Sequence, residues 1–481
     1  MSLTLPAPAA PPRAIVPVLA FAGIVAALMQ TLVVPLIGDL PQLLGTTATD
    51  ATWVITATLL AAAVVTPVSG RLGDLYGKRP VMLGCTALLV VGSVVCATAS
   101  SVVPMIVGRA FQGAAMGLIP LGISVMRDLL PPERLGSSIA LMSASLGIGG
   151  ALGLPAAAAV AEYGSWRGLF WGAAVLALVV AVLVHRFLPA SGVTAGGRFD
   201  VVGALGLGIG LICVLLPITK GADWGWASGR TLVPLVAGVV VLLVWGAYEL
   251  RTPEPLVDLR VTARPVVLLT NLASVVVGFA MYAQGLVIPQ LLQLPTQTGY
   301  GLGQDMLQMG LWMAPGGIVM MLVSPVGARL SHARGPRTTL ALGALVVSVG
   351  YLAAIALMGS TWGLLVAVCV MSAGVGFAYG AMPALIMGSV PISETASANS
   401  VNTLMRSIGT TVSSAVIGVV LSHMTTDLGG VPLPSESGFQ VGLLLGAAAA
   451  ALAAGVALLI PQRAARAAEE SIESPVEPVG A

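Results

Sequence analysis

Few residues in this 481-residue chain can do chemistry, and their placement is uneven. The stretch SGRLGDLYGKRP, Ser69–Pro80, packs Arg71, Asp74, Lys78 and Arg79 among Gly70, Gly73 and Gly77, in surroundings that are otherwise almost wholly apolar. Asp74 suits a helix N-terminus, where free amides and the helix dipole favour an anion. Lys78 and Arg79 are placed to pair with Asp128. Arg109 and Arg406 fall inside long apolar segments, where a cation costs at least ~2.5–3.5 kcal/mol on insertion scales and must find partners within the protein. All nineteen acids lie in loops, tails or segment ends. Asp39, Glu162 and Asp305 are therefore the carboxylates left as candidates for a proton-carrying group, a role that burial and a raised pKa would suit.

Such residues latch, clamp and carry charge; they do not make a catalyst. Three scattered histidines and four cysteines, Cys85, Cys96, Cys213 and Cys369, each in an apolar run, offer no nucleophile–base pair and no metal-ligand spacing. We expect no enzyme, no metal and no cofactor. The tetrapeptide YGKR resembles the end of a phosphate-binding loop, but Leu72 stands where its first Gly should be and Arg79 replaces the Ser/Thr. An ATP-driven pump is disfavoured on that ground.

The elements that position these residues follow from composition. The chain is 57% hydrophobic and 8% charged, with a mean hydropathy of +0.99, against about 25% charged for a soluble domain. Its solvent must be largely lipid, and a net charge of +2 gives no case for nucleic acid. A span needs about 20 mostly apolar residues and must be a helix, because hydrocarbon offers no partner to a bare amide. We read fourteen spans and an all-α integral membrane fold. With the N-terminus inside, the inner loops and tails hold sixteen Lys and Arg and the outer loops three (Arg167, Lys220 and Arg230), a bias that sets orientation. Both termini are expected on the cytoplasmic side.

The charged stretch has an echo. At a constant offset of 258, Pro67, Val68, Arg71, Leu72, Gly77 and Arg79 match Pro325, Val326, Arg329, Leu330, Gly335 and Arg337, while Asp74 becomes His332. The first copy follows span 2, and the second follows the second span of a later six-span unit. This implies a cytoplasmic tail 1–13, a six-helix bundle 14–188, a two-helix insertion 189–264, a second six-helix bundle 265–460 and a tail 461–481. Parallel six-helix halves with substrate bound between them are one transporter layout.

The whole chain resembles the major facilitator superfamily, in particular its fourteen-helix branch of drug:proton antiporters, the multidrug and antibiotic efflux permeases. Gly70, Leu72, Asp74, Gly77, Lys78 and Arg79 fit the superfamily signature between helices 2 and 3. RAFQGAAMG, with Arg109, Gln112, Gly113 and Gly117, resembles a second signature on helix 4. GIGGALGLP resembles the antiporter signature of helix 5 in part: Gly147, Gly149, Gly150, Gly153 and Pro155 are present, but Leu154 splits the Gly-Pro pair. RSIGTTVSSA, from Arg406, looks like the helix 13 pattern of this branch. The resemblance implies that Asp74 contacts the other half, here at SETASANS, when the protein opens outward. It implies proton coupling through Arg109 with Gln112, a helix 5 contact that closes a leak path, and a proton gradient in place of a cofactor. One departure matters: helix 1 of the branch carries an embedded Asp two residues before a Thr, and Met29 stands there before Thr31.

Candidate liners of a substrate cavity are Met29, Gln30, Gln112, Asn271, Phe279, Tyr282 and Gln284, and, further along, Trp312, Met313, Phe377, Tyr379, Met382, Asn402 and Arg406. Methionines and aromatics make an adaptable apolar wall to which amides add a few hydrogen bonds. The expected substrate is a neutral or weakly charged amphipathic organic compound, exported from the bacterial cytoplasm across the inner membrane in exchange for protons by a monomer. The alternative is a uniporter or symporter of a small organic solute without proton antiport.

Overall fold

Apolar runs this long leave the backbone one way to satisfy itself in lipid, the α-helix, and the chain takes it throughout its described apolar segments. The computed structural model describes residues 14–33, 36, 40–189, 196–428 and 431–461. The tail readings 1–13 and 462–481 lie outside the described residues. The N-terminal half holds α1 (Ile15–Thr31), α2 (Trp53–Tyr76), α3 (Lys78–Thr98), α4 (Val102–Leu129), α5 (Pro132–Tyr163) and α6 (Trp166–Phe187). Two inserted helices follow, α7 (Val201–Trp224) and α8 (Gly229–Glu249). The C-terminal half holds α9 (Pro265–Gln293), α10 (Met306–Arg334), α11 (Pro336–Ala356), α12 (Thr361–Met387), α13 (Thr395–His423) and α14 (Glu436–Leu459). Thirteen of these helices are long and apolar enough to cross a membrane, and α1, at 17 residues, is a shorter apolar helix.

The helices overrun the hydropathy signal. The charged stretch reads as a loop, yet Ser69–Tyr76 is the last two turns of α2, and α3 starts at Lys78. The connection is Gly77 alone, at φ 93° and ψ 143°, a conformation that glycine adopts without steric cost. Its repeat partner Gly335 links α10 to α11 at φ 84° and ψ 151°. Charged residues end a hydropathy window, but they do not end a helix that has left the hydrocarbon. One other element departs from the all-α reading. Thr425–Leu428 (β1) and Val431–Pro434 (β2) pair antiparallel between α13 and α14.

Each half has its own buried core. One gathers residues such as Leu19, Met29, Leu89 and Phe170, the other Val287, Tyr351, Met371 and Phe439. The halves meet along two seams, α2 with α13 and α5 with α10. A third apolar cluster seats α7 on the first seam, with Leu207, Leu211 and Leu215 against Ala63 of α2 and Leu404 of α13. Helix α8 packs chiefly on α7 and leaves Leu243 and Val244 exposed, which suits lipid.

The repeat extends to individual bonds. Arg79 donates to the His185 carbonyl at 2.5 Å, tying the start of α3 to the end of α6. Arg337 donates to the Leu458 carbonyl, tying the start of α11 to the end of α14. Arg79 therefore does not share Asp128 with Lys78; each half uses this arginine to cap the C-terminus of its sixth helix, where the dipole favours a cation.

Small residues bring α5 and α10 together. A Cβ on Gly317 would stand 2.3 Å from the Ala151 Cβ and 2.3 Å from the Gly147 carbonyl oxygen. Overpacking of this kind costs about 1–3 kcal/mol. Gly317→Val is expected to lower the thermal stability of the monodisperse protein in detergent, whereas Gly172→Val, where a Cβ meets nothing within 4 Å, should leave it unchanged. Equal melting curves for the two variants would contradict this packing.

Candidate functional site

The charged stretch reaches across the molecule at the end of the bundle that carries the arginine-rich turns, called here the basic end. Asp74 is fully buried and accepts from the backbone N–H of Ala396 at 3.1 Å, from that of Ser397 at 2.7 Å and from the Ser397 hydroxyl at 2.6 Å. A carboxylate of one half thus caps the first turn of a helix of the other, meeting both the orphan amides and the positive end of the dipole. The approach needs Gly70, because a Cβ there would lie 2.2 Å from the Ser400 hydroxyl. Arg127, at the end of α4, adds bonds to the Thr395 hydroxyl at 3.0 Å and the Val390 carbonyl at 3.2 Å. Nothing in its spacing marked Arg127 as a cross-half residue.

Behind this latch, Lys78 and Asp128 pair at 2.5 Å, both fully buried or nearly so. The pair joins the start of α3 to the end of α4. Breaking a buried pair by removing one partner typically costs about 3–5 kcal/mol, because a charge is left uncompensated. The counterpart of Asp74 in the repeat, His332, lies by the start of α5: a Cβ on Gly136 would stand 3.7 Å from its Nε2. The two contacts, end of α2 on α13 and end of α10 on α5, are related by the repeat and differ in chemistry.

Between the halves lies a cavity of ≈ 320 Å³. Its wall draws on the first, second, fourth and fifth helices of each half: α1, α2, α4 and α5, then α9, α10, α12 and α13. Met116, Met281, Met313 and Met320 dominate it, with amides from Gln30 and Gln284 and hydroxyls from α13. Towards the basic end, past Arg406, it pinches to a space of ≈ 10 Å³ beside Pro383 and Asn402.

Five of the expected liners, Gln30, Gln284, Met313, Tyr379 and Arg406, stand on this wall. The others do not. Met29 is buried in the N-terminal core. Gln112 is enclosed, holding Arg109 and the Ser93 hydroxyl. Asn271 and Asn402 bond each other at 2.9 Å nearer the basic end, and Met382 accepts from Ser274 in the same buried layer. Phe377 packs over Gly327 and Gly343. Trp312 donates to Gln304 and packs edge-on against Trp362 at the opposite end. Phe279 and Tyr282 are partly buried but off the wall. In a membrane helix the lipid face and the protein face are both apolar, so hydropathy does not show which way a side chain turns.

The proton-coupling candidates disperse. Asp305 caps α10 in a reciprocal pairing with Gln308 and is exposed. Asp39 and the side chain of Glu162 lie outside the described residues. Arg109 is 1% exposed and donates to the Met29 carbonyl at 2.9 Å, to Gln112 Oε1 at 2.7 Å and to the Val54 carbonyl at 3.4 Å. It clamps α1 and α2 onto α4 and does not reach the cavity. In helix α5, Gly147 and Gly150 line the cavity, Gly149 and Gly153 lie against α1, and Pro155 packs on Gly310 of α10. Among the described residues, no Asp or Glu lines the cavity.

Comparison with known proteins gives a consistent picture. The model of the Major Facilitator Superfamily matches residues 19–414. The chain is 27% identical over 311 residues to the Multidrug resistance protein B homolog of Mycobacterium tuberculosis, covering 64% of this chain and 56% of that protein. It is 23% identical over 409 residues to Multidrug resistance protein 3 of Bacillus subtilis, covering 84% of this chain and 78% of that one. The chain thus spans less than two thirds of the length of some relatives it matches. Among solved structures, the proton:xylose symporter XylE superposes with a TM-score of 0.62 at 13% identity, over 91% of this chain and 94% of that one; at that identity the likeness shows the fold alone.

The latch geometry yields a direct test. A cysteine at Thr403, on the cavity wall, reports access from the basic end in a background without the native cysteines. Asp74→Ala is expected to raise its labelling by a membrane-impermeant maleimide from that side by about 5–150-fold, the range of common coupling energies. Labelling that does not change on substitution would show that the contact does not hold this end closed.

Proposed function

The chain belongs to the major facilitator superfamily, and from that premise we propose that it exports amphipathic organic compounds across a bacterial inner membrane by alternating access. The observation that carries this reading is the cavity itself. It lies between the halves, has a methionine-rich wall with a few amides and hydroxyls, and is shut from the basic end by a latch made of one carboxylate and one helix start. Adaptable thioether walls accept varied apolar shapes, and relatives bearing the name multidrug resistance protein support an outward direction. The bias of cations towards one set of turns supports a cytoplasmic basic end. The cavity is complete within one chain, which supports a monomer as the working unit.

In this account the resting structure is closed to the cytoplasm by Asp74 on α13. Release of that cap, with the halves rocking about the packed α5–α10 seam so that the far end closes, would give the inward-facing state. Such a change needs an element with two arrangements that substrate biases, and the cap supplies one.

Exchange for protons is the mode that the helix 5 pattern supports. The acid-free wall favours a second reading, export without a coupled proton. Both make an expected outcome. Cells expressing the protein should accumulate less of at least one of two fluorescent amphipaths, the neutral Nile red or the anionic 8-anilinonaphthalene-1-sulfonate, than cells without it; higher accumulation would establish an importer. In proteoliposomes, antiport predicts that an imposed pH gradient accelerates efflux and that a protonophore abolishes the gain. Indifference to the gradient would remove antiport and leave uncoupled export.

A further inference from the structure

Among the described residues, Arg109 and Arg406 lie well inside their membrane-spanning helices, away from the ends, and their surroundings differ. Arg109 is enclosed, with hydrogen bonds to three helices. Arg406 lies 11 residues into α13, about 16 Å along its axis, and faces the central cavity. Its hydrogen bond to Thr403 of its own helix is long, at 3.4 Å, near the limit at which such a bond counts. The guanidinium carbon of Arg406 lies over the Tyr379 ring, 4.4 Å from its centroid. The guanidinium carries five N–H donors, and a contact with the π-face of a ring does not use up their hydrogen-bonding capacity towards oxygen.

Among the described residues lining the cavity, Arg406 is the single formal charge, with no Asp or Glu to balance it. A cation in such a place attracts an anion and repels a cation. The guanidinium fork matches carboxylate, sulfonate and phosphate oxygens better than a point charge does. The remaining wall offers thioethers and aliphatic groups for an apolar body, and the Gln30 and Gln284 amides for neutral polar groups.

We propose that the exported substrates are amphipathic organic anions, with the acidic group held by Arg406 braced on Tyr379 and the apolar body held by the methionine wall. The inference rests on the export reading and deepens it. It also accounts for the acid-free wall. An inside-negative membrane potential drives a monoanion outward by about 50-fold in concentration ratio for each ~100 mV, so an embedded proton carrier is dispensable for the outward step.

Three permanently distinguished probes on one ring system test this: pyrene-1-sulfonate (anionic), pyrene-1-sulfonamide (neutral) and (pyren-1-ylmethyl)trimethylammonium (cationic). Binding to the full chain in lipid nanodiscs is measured by equilibrium dialysis, with empty nanodiscs as the blank. The sulfonate is expected to bind the wild type about 10–100-fold more tightly than the sulfonamide, the span expected for hydrogen bonds to a charged group. Arg406→Gln should bring the sulfonate to the level of the sulfonamide while leaving sulfonamide binding unchanged, which also shows that the variant is folded. Arg406→Lys should restore part of the difference. Equal or tighter binding of the cation, no binding of the sulfonate, or a fall in all three probes together with Arg406→Gln would overturn the proposal. Flux of the same probes from proteoliposomes separates the two readings: sulfonate binding without flux keeps the anion site and removes export, and flux of the neutral or cationic probe without selectivity at Arg406 keeps export and removes the anion site.

Discussion

One carboxylate on one helix start holds the two halves of this molecule together at the basic end. Asp74 is buried and would be unstable there alone, since an ionised carboxylate out of water needs charge-assisted partners. Helix α13 supplies them as two backbone amides, a serine hydroxyl and the positive end of its dipole. The rest of the region is arranged around that contact. Gly70 lets the backbones approach, Arg127 ties the same helix start to α4, and Lys78 with Asp128 fixes α3 to α4 so that the carboxylate is presented from a rigid base. Because the partners are mostly backbone groups at a helix terminus, the contact can be released and remade as a unit.

The duplicated turn keeps some duties in both halves and differs in another. Arg79 and Arg337 keep one task in both halves, capping the sixth helix, and Gly77 and Gly335 keep one backbone conformation. These are intra-half duties and both copies need them. Asp74 and His332 face the other half and have diverged. The structural half of the motif is preserved and the half that crosses the interface is asymmetric, which leaves the anionic cap on one seam.

Much of this was legible from the amino-acid order because lipid permits few solutions. The helical membrane fold followed from apolar length, and the contact of Asp74 with the start of α13 from the resemblance of the Ser69–Pro80 pattern. What could not be read has two physical causes. Charges mark the edge of the hydrocarbon and not the end of a helix, so a supposed loop proved to be two helical turns and one glycine. Rotation of a helix about its axis is also silent when lipid and core are equally apolar. Met29 and Gln30 are adjacent, yet one fills a core and the other faces the cavity. Arg109 and Arg406 looked alike as embedded cations, and only the geometry separates a satisfied clamp from a charge open to the cavity.

In the proposed cycle the basic end opens as the opposite end closes, once the Asp74 cap is released. Distances between spin labels test it most directly. One pair replaces Tyr76 and Ile392, exposed at the basic end on opposite halves; the other replaces Ser100 and Trp362, exposed at the far end on opposite halves. Measured in liposomes by double electron–electron resonance during transport, each pair should show a short and a long population. The long population at the basic end should grow as the long population at the far end shrinks. A single unchanging distance between the basic-end labels while transport proceeds would contradict the account.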